Sequence, residues 1–415
     1  MSESGGQQIA TGGAMDAFPS WVSLETALGI RVSGWRVNRG RVDETQRTGT
    51  GTATIYVNDM AGYLGSGAEF PTHARLLLRG SPRFRGFVDE VNVEVVHTVP
   101  NQPVATSGLS RVSIECVDMF DHLSTVELAA GVHGTLPTPA GQEQYVWYDT
   151  AQVDDRMFQV LDDAEVPAAL RSVYSGNVEV MPKAYQTGTT AMQVLDECVD
   201  AEWPGVSNRF IDSEGRYSFR GRHARFNPGA YDISFWEAGA GSHVTSGRAA
   251  IRRLGYATSR KLITNSAVAY PEGMAEAEMP LVIIEDATSQ GKYGRRSWSA
   301  ENLLTNRHLS NGNTGADEAI LFATYQVANY KDPAARINRV QFRSLRDDDT
   351  RAAATWALMQ GVEIGDVLDI YTDDISGRYF VEGLALEVRE LDGTIPFAVC
   401  DLDLSPAAFW ETDPF

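Results

Sequence analysis

Ile283-Ile284-Glu285-Asp286-Ala287-Thr288-Ser289-Gln290-Gly291-Lys292-Tyr293-Gly294-Arg295-Arg296-Ser297 opens the stretch on which the reading of this chain turns. The stretch passes through an apolar-periodic block, halts at Asn329-Tyr330-Lys331-Asp332-Pro333 and enters Ala335-Arg336-Ile337-Asn338-Arg339-Val340-Gln341. Thr314 is placed to cap a helix whose first turn carries Asp317 and Glu318, acids that complement the positive end of the helix dipole. Ala316, Ala319, Ile320, Ala323, Val327 and Tyr330 recur at helical spacing, and Pro333 forbids continuation. This helix reads as a packing element. Tyr293, Arg295 and Arg296 crowd a segment rich in Gly and Ser. Guanidinium groups pair bidentately with carboxylates and are favoured at interfaces, so these residues and Arg336 are candidate contacts to another subunit or domain. A solvated loop is the plain alternative.

Upstream, from Ile30 to Asp118, short strands prevail. Ala53, Ile55 and Val57 alternate with polar neighbours, as do Ala74, Leu76 and Leu78, then Val91, Val93 and Val95, then Val112, Ile114 and Cys116. Period-two alternation marks half-buried strands, and strands this closely spaced predict a barrel or sandwich. A short helix at Met119–Leu123 follows. Within this block Arg39 and Arg41 flank Gly40, spaced to face one side of a strand, and are candidates for pairing with a neighbouring subunit's carboxylates. Two solvated arginines are the alternative.

From about Glu127 the alternation breaks down, and Pro137 and Pro139 mark a linker. One helix places Met157, Phe158 and Leu161 on a face. Another begins at Thr190-Ala191-Met192-Gln193, a capping-box spacing, and buries Met192, Leu195, Cys198 and Val199. Phe210 to Phe219 is a hairpin with Gly215 in its loop. Asp212, Ser213 and Glu214 are too few and too close for a calcium loop. Strands return after Gly247, most clearly at Leu262–Ala269. Ala352–Met359 is a short helix, and Leu384, Leu386 and Val388 alternate up to Asp392-Gly393, the strongest short hairpin signal available.

The order of these motifs resembles the tail hub proteins of long-tailed bacteriophages, often called minor tail proteins. The resemblance rests on Asp286-x-x-Ser289, Tyr293-Gly294-Arg295-Arg296, the helix halted at Asp332-Pro333, and the Arg336-Ile337 strand. Arg39-Gly40-Arg41 followed by Gly51-Thr52-Ala53-Thr54 and Val57-Asn58 supports it, as does Ile364-Gly365-Asp366. Asn58-Asp59-Met60-Ala61-Gly62 departs from the family, which places Gly directly after the Asp. The resemblance implies an α+β, β-rich multidomain fold with two β-barrel-like tube domains, an inserted α+β domain and a C-terminal β-domain. The expected division is a flexible N-terminus at 1–19, tube domain I at 20–125, the insert at 126–244, a second tube-like domain with the long helix at 245–345, and a C-terminal β-rich domain at 346–415. It also implies a homotrimer, a ring of pseudo-sixfold symmetry at the distal end of the tail of a virion assembled in the host cytoplasm. Its neighbours would be the distal tail or tube protein, tail-tip or fibre proteins and the tape measure protein, with genomic DNA only in transit.

Composition bounds these expectations. Of 415 residues 43% are apolar, which is enough for fully folded domains, and the length predicts more than one core. Lys and Arg total 35 against 55 Asp and Glu, a formal charge of −20. That argues against specific nucleic-acid binding, which needs a basic footprint, and has two explanations, an acidic wall past which DNA slides or simple solubility. No apolar run is long enough to span a bilayer. Cys116, Cys198 and Cys400 are isolated, which predicts buried thiols rather than disulfides or a zinc site. No nucleophile elbow, phosphate loop or His-Glu-x-x-His occurs, so neither enzyme activity nor a cofactor is expected. The alternatives are a glycan hydrolase using carboxylates such as Glu285, Asp286 or Asp347–Asp349, and a glycan- or receptor-binding tail protein.

Overall fold

Alternation fixes the first strands, and their pairing carries the chain from one β-unit into the next. The structure is a computed structural model that describes residues 7–11, 15–17, 19–24, 31–58, 71–95, 110–133, 145–176, 178–258, 260–272, 283–304, 315–333, 335–345, 349–391 and 395–407. The first unit is built from β1 (Arg31–Gly40), β2 (Gly49–Asn58), β3 (His73–Leu78), β4 (Ser81–Val95) and β5 (Ser110–Val117). They join in the order β3-β4-β5-β2-β1, all antiparallel. Ala53, Ile55, Val57, Ala74, Leu76, Leu78, Val112, Ile114 and Cys116 all face the core, as their alternation requires. Val91 is half-buried against it, while the side chains of Val93 and Val95 lie outside the described set. Arg79 (φ 48°) and Gly80 (φ 85°) close the β3–β4 hairpin, the pair of positive φ values that a tight primed turn needs. Gln7–Ala10, expected to be flexible, instead pairs antiparallel with β3 and buries Ile9. The β3 edge on one side, Val22–Ser23 on the other and the burial of Ile9 and Ala10 order it.

The insert follows α1 (Met119–Thr125), whose N-cap Asp118 accepts from Phe120 N. Helices α2 (Val153–Asp163) and α3 (Ala191–Ala201) pack together over short two- and three-stranded sheets. The capping box at Thr190 and Gln193 is formed in both directions. Met157 and Leu161 are buried but Phe158 is 36% exposed, so the inward face of α2 runs through Val153 and Val160 instead. In the 208–220 hairpin Asp212 Oδ1 accepts Glu214 N and Arg216 N, and Gly215 takes φ 81°. The carboxylate is thereby committed to a turn.

After α4 (Arg222–Phe226), the second unit uses β6 (Phe235–Gly239), β7 (Ala249–Thr258), β8 (Ala335–Arg343), β9 (Val367–Tyr371), β10 (Ser376–Leu391) and β11 (Ile395–Pro406). Pairing runs β10-β9-β6-β7-β8-β11 and returns from β11 to β10, a closed six-stranded barrel. Between β7 and β8 lie a small sheet (Ser266–Pro271, Ile284–Glu285, Ser297–Leu303), α5 (Ala287–Tyr293) and α6 (Gly315–Tyr330), and α7 (Ala352–Gly361) follows β8. The strand expected at Leu262–Ala269 is Ser266–Pro271, preceded by a turn. Thr314 and the Asp392-Gly393 turn lie outside the described residues, but β10 and β11 pair up to Leu391↔Ile395.

The barrel thus draws on three expected segments: β6 from 126–244, β7 and β8 from 245–345, and β9 to β11 from 346–415. The last segment makes no sheet of its own. Strand β10 is shared between the units. Its start pairs with β9, and from Gly383 to Arg389 the same side pairs with β1. One antiparallel strip therefore crosses both units in the order β4-β5-β2-β1-β10-β11-β8-β7. The fold is α+β and β-rich, with several cores.

Candidate functional site: the Arg-Gly-Arg junction

Gly40 sits where β1 meets β10. Its φ is 95°, and a Cβ there would come within 2.4 Å of Glu382 O and 2.6 Å of Gly383 Cα. Only glycine permits both the turn and the approach. The arginines on either side are buried, not solvated. Arg39 donates to Ile211 O at 2.8 Å and pairs with Glu363 at 3.0 Å, so it ties β1 to the insert and to the loop before β9. Glu363 also accepts Ser213 N at 2.9 Å. Burial opposes its charge, but Arg39 and Arg83 hold the carboxyl below its ordinary range.

Arg41 Nε lies 2.7 Å from Glu382 Oε2 and also donates to Gln46 O and Gly205 O. Arg225 of α4 grips both Glu382 oxygens at 2.6 and 2.9 Å, and Ser405 of β11 donates to Oε1. Glu382 is fully buried, and burial alone would raise its pKa; Arg225 and Arg41 instead bring it down to about 2. One carboxylate on the shared strand thus fastens the first unit, the insert and the barrel.

A third link joins Arg336 of β8 to Glu44 at 2.8 Å, with Tyr330 OH donating to the same oxygen. The nearby Glu363-Ile364-Gly365-Asp366 turn is held by Asp366, which accepts Glu363 N and Trp236 Nε1. Burial pushes Asp366 up to about 6. Asp118 rises to about 7, again through burial, although Gly51 N and Phe120 N donate to it.

Of the candidate contact residues, the structure brings Arg39, Arg41 and Arg336 to this junction and leaves the others apart. Arg295 is on the surface beside Glu285 (3.2 Å) and Ser266, Arg296 is exposed, and Tyr293 ends α5 under Arg260. What that stretch does is local. Asp286 caps α5 through Ser289 N and pairs with Lys331 at the end of α6. Asn265, fully buried, accepts Arg296 N at 2.7 Å and donates to Ser289 Oγ and Gly294 O. The Asp-x-x-Ser and Tyr-Gly-Arg-Arg signals are therefore a lock on one side chain. Asn265→Ala is expected to lower stability by about 2–3 kcal/mol, because it strands these buried partners. Chemical denaturation measures it.

Of the carboxylates weighed for hydrolysis, Asp286 caps α5, Glu285 pairs with Arg295 and Asp349 with Arg351, while Asp347 and Asp348 lie outside the described residues. Among the described residues no His, Cys, Asp and Glu cluster fits a metal ion, and no helix is long and apolar enough to cross a membrane. All three cysteines are free and buried, and burial raises Cys198 and Cys400 to about 12. Sequence reasoning missed Glu382, Arg225 and Arg83. The available signal was a lone Glu inside the apolar run Val381-Glu382-Gly383-Leu384.

Two β-units sharing a strand around an α+β insert form a fold that this chain shares with phage tail proteins of known structure. The chain is similar to the tail protein from Neisseria meningitidis, with a TM-score of 0.56 and 10% identity over 98% of each chain. It is similar also to the 43 kDa tail protein of prophage MuSo2 from Shewanella oneidensis, at 0.55 and 9% identity, over 98% of this chain and 99% of that one. No protein-family profile and no curated protein sequence matches it.

Proposed function

We propose that this chain is a non-catalytic tail hub. Three copies form a ring at the distal end of a phage tail tube, and each contributes two β-units, so that a threefold ring meets a sixfold tube. The ring segments are 20–125 and 245–345, each joined by strands from 346–415, with the insert outside. The ring contacts the tube protein above, tail-tip or fibre proteins below and the tape measure protein, and lets the genome pass, in a virion assembled in the host cytoplasm. The observation that carries this reading is the antiparallel strip running through both units, whose end strands β4 and β7 are paired on their outer sides, by β3 and β6, over only part of their length. The full-length likeness to two tail proteins supports it.

The strip's outward face differs from the acidic wall read from net charge. Glu90, Glu115, Glu387, Asp401 and Asp403 share it with Arg36, Arg253, Arg339, Arg343 and Arg389, alternating across registered rows such as Glu115-Thr54-Arg36-Glu387. Several of these carboxylates are already paired on the face: Glu387 with Arg389, and Asp401 with Gln341. A wall on which acids and bases alternate also offers phosphates little to hold. Mass measurement and electron microscopy of the purified chain should show a closed trimer with a central hole. Duplex DNA should bind weakly even at low salt. A monomer under every salt condition, or sub-micromolar DNA binding, overturns the reading.

A further inference from the structure

The two ends of the strip are unlike. On β4 the inner partner β5 continues to Val95, but β3 on the outer side stops at Phe87. On β7 the inner partner β8 continues to Thr258, but β6 on the outer side stops at Ala250. Among the described residues, Asp89–Val95 and Ile251–Thr258 therefore have bare outer edges. The first shows Asp89 and Glu90 to solvent and the second Arg252 and Arg253, and none of these four has a side-chain partner among the described residues. The second also displays Tyr256, 63% exposed.

We infer that these are the two halves of one subunit contact: the basic β7 edge of one copy pairs, strand to strand, with the acidic β4 edge of the next. The inference rests on the ring reading above and names its joint. The geometry allows it. Every pairing along the eight strands of the strip is antiparallel, so its end strands run in opposite directions, and β7 meets the next β4 antiparallel. The bare lengths match, at about 24 and 27 Å for about 3.4 Å per residue. A head-to-tail contact of unlike edges closes into a ring when the rotation permits, and closure leaves no edge open.

Bulges at Asp89 and Arg252 interrupt the registers, and bulges with charges are also how proteins guard edges against aggregation. Guarding is served by either sign, and a chain with 55 acids and 35 bases has acids to spare. Adjacent arginines on one edge and adjacent acids on the other do more, because like edges repel and unlike edges attract.

The test uses three variants of the full chain: Arg252→Glu/Arg253→Glu, Asp89→Arg/Glu90→Arg, and the fourfold swap carrying all four. Circular dichroism and melting confirm folding, which exposed, unpaired side chains should not disturb. Association is read by sedimentation over a concentration series. Each single-edge variant should need at least about tenfold more protein to assemble, and the fourfold swap should return to within about threefold of the parent. If the parent is a trimer and the single-edge variants assemble equally well, the ring stands and this joint is overturned. Folded variants that lose assembly without recovery in the swap overturn it too. A parent that stays monomeric overturns the ring and the joint together.

Discussion

Glu382→Gln should lower the unfolding free energy by about 3–5 kcal/mol, the cost of leaving buried cations without their carboxylate. Arg41 and Arg225 remain, both buried, facing a neutral amide. The pH dependence separates this from simple loss of packing. The Glu382 pKa falls from an ordinary 4.5 to about 2 on folding, so its contribution is complete above pH 4.5 and lost as pH drops through 2. The shift corresponds to about 3 kcal/mol. Denaturant midpoints of parent and variant should therefore converge between pH 4.5 and 2 and stay apart at neutral pH. A constant gap across that window would mean that the charge is not what holds the junction.

Trp203→Ala is expected to cost about 3–5 kcal/mol, the range for truncating a buried large aromatic. The indole stacks on Phe322 of α6 at 5.3 Å, meets Phe226 edge-on at 6.3 Å and lies 5.7 Å from Tyr325, so it seats the insert against the second unit. Trp203 also adopts φ 73°, a conformation that costs L-residues about 1–2 kcal/mol. Trp203→Gly relieves that strain and should prove about 1 kcal/mol less damaging than Trp203→Ala, although it removes more side chain. Urea denaturation of the pair decides it, and an alanine variant that equals or exceeds the glycine variant rules the strain out.

Much of the β architecture was legible because burial of one sheet face leaves a period of two. Leu384, Leu386 and Val388 are buried as their alternation requires. What alternation does not encode is the partner. Nothing local in Ser376–Leu391 says that half of it pairs with β9 and half with β1, so the segment read as a separate domain. Helix α5 was missed because seven residues with Gly291 and one buried side chain, Ser289, present no stripe. Phe322, fully buried on α6, fell outside the stripe because this helix is enclosed on more than one side. Of the junction, Arg39, Arg41 and Arg336 were legible as arginines beside Gly or opening a strand. Their partners were not, since Glu44, Glu363 and Glu382 are distant in sequence or indistinguishable from the chain's many surface acids.

The pairing of β1 with β10 sets an order of events during synthesis. Trp35 and Val37 leave the ribosome more than 340 residues before Val388 and Leu386, the residues they face across the register. At about 5–20 residues per second, the interval is roughly 17–70 s. Throughout it the β1 edge is bare, and neither Arg41 nor Arg225 has its carboxylate. A chain released early, before Glu382 is made, carries a hydrophobic strand edge and two uncompensated cations, the state most open to aggregation and proteolysis. Synthesis as far as β11 thus acts as a checkpoint: only a chain that includes β10 and β11 can present both outer edges on one strip.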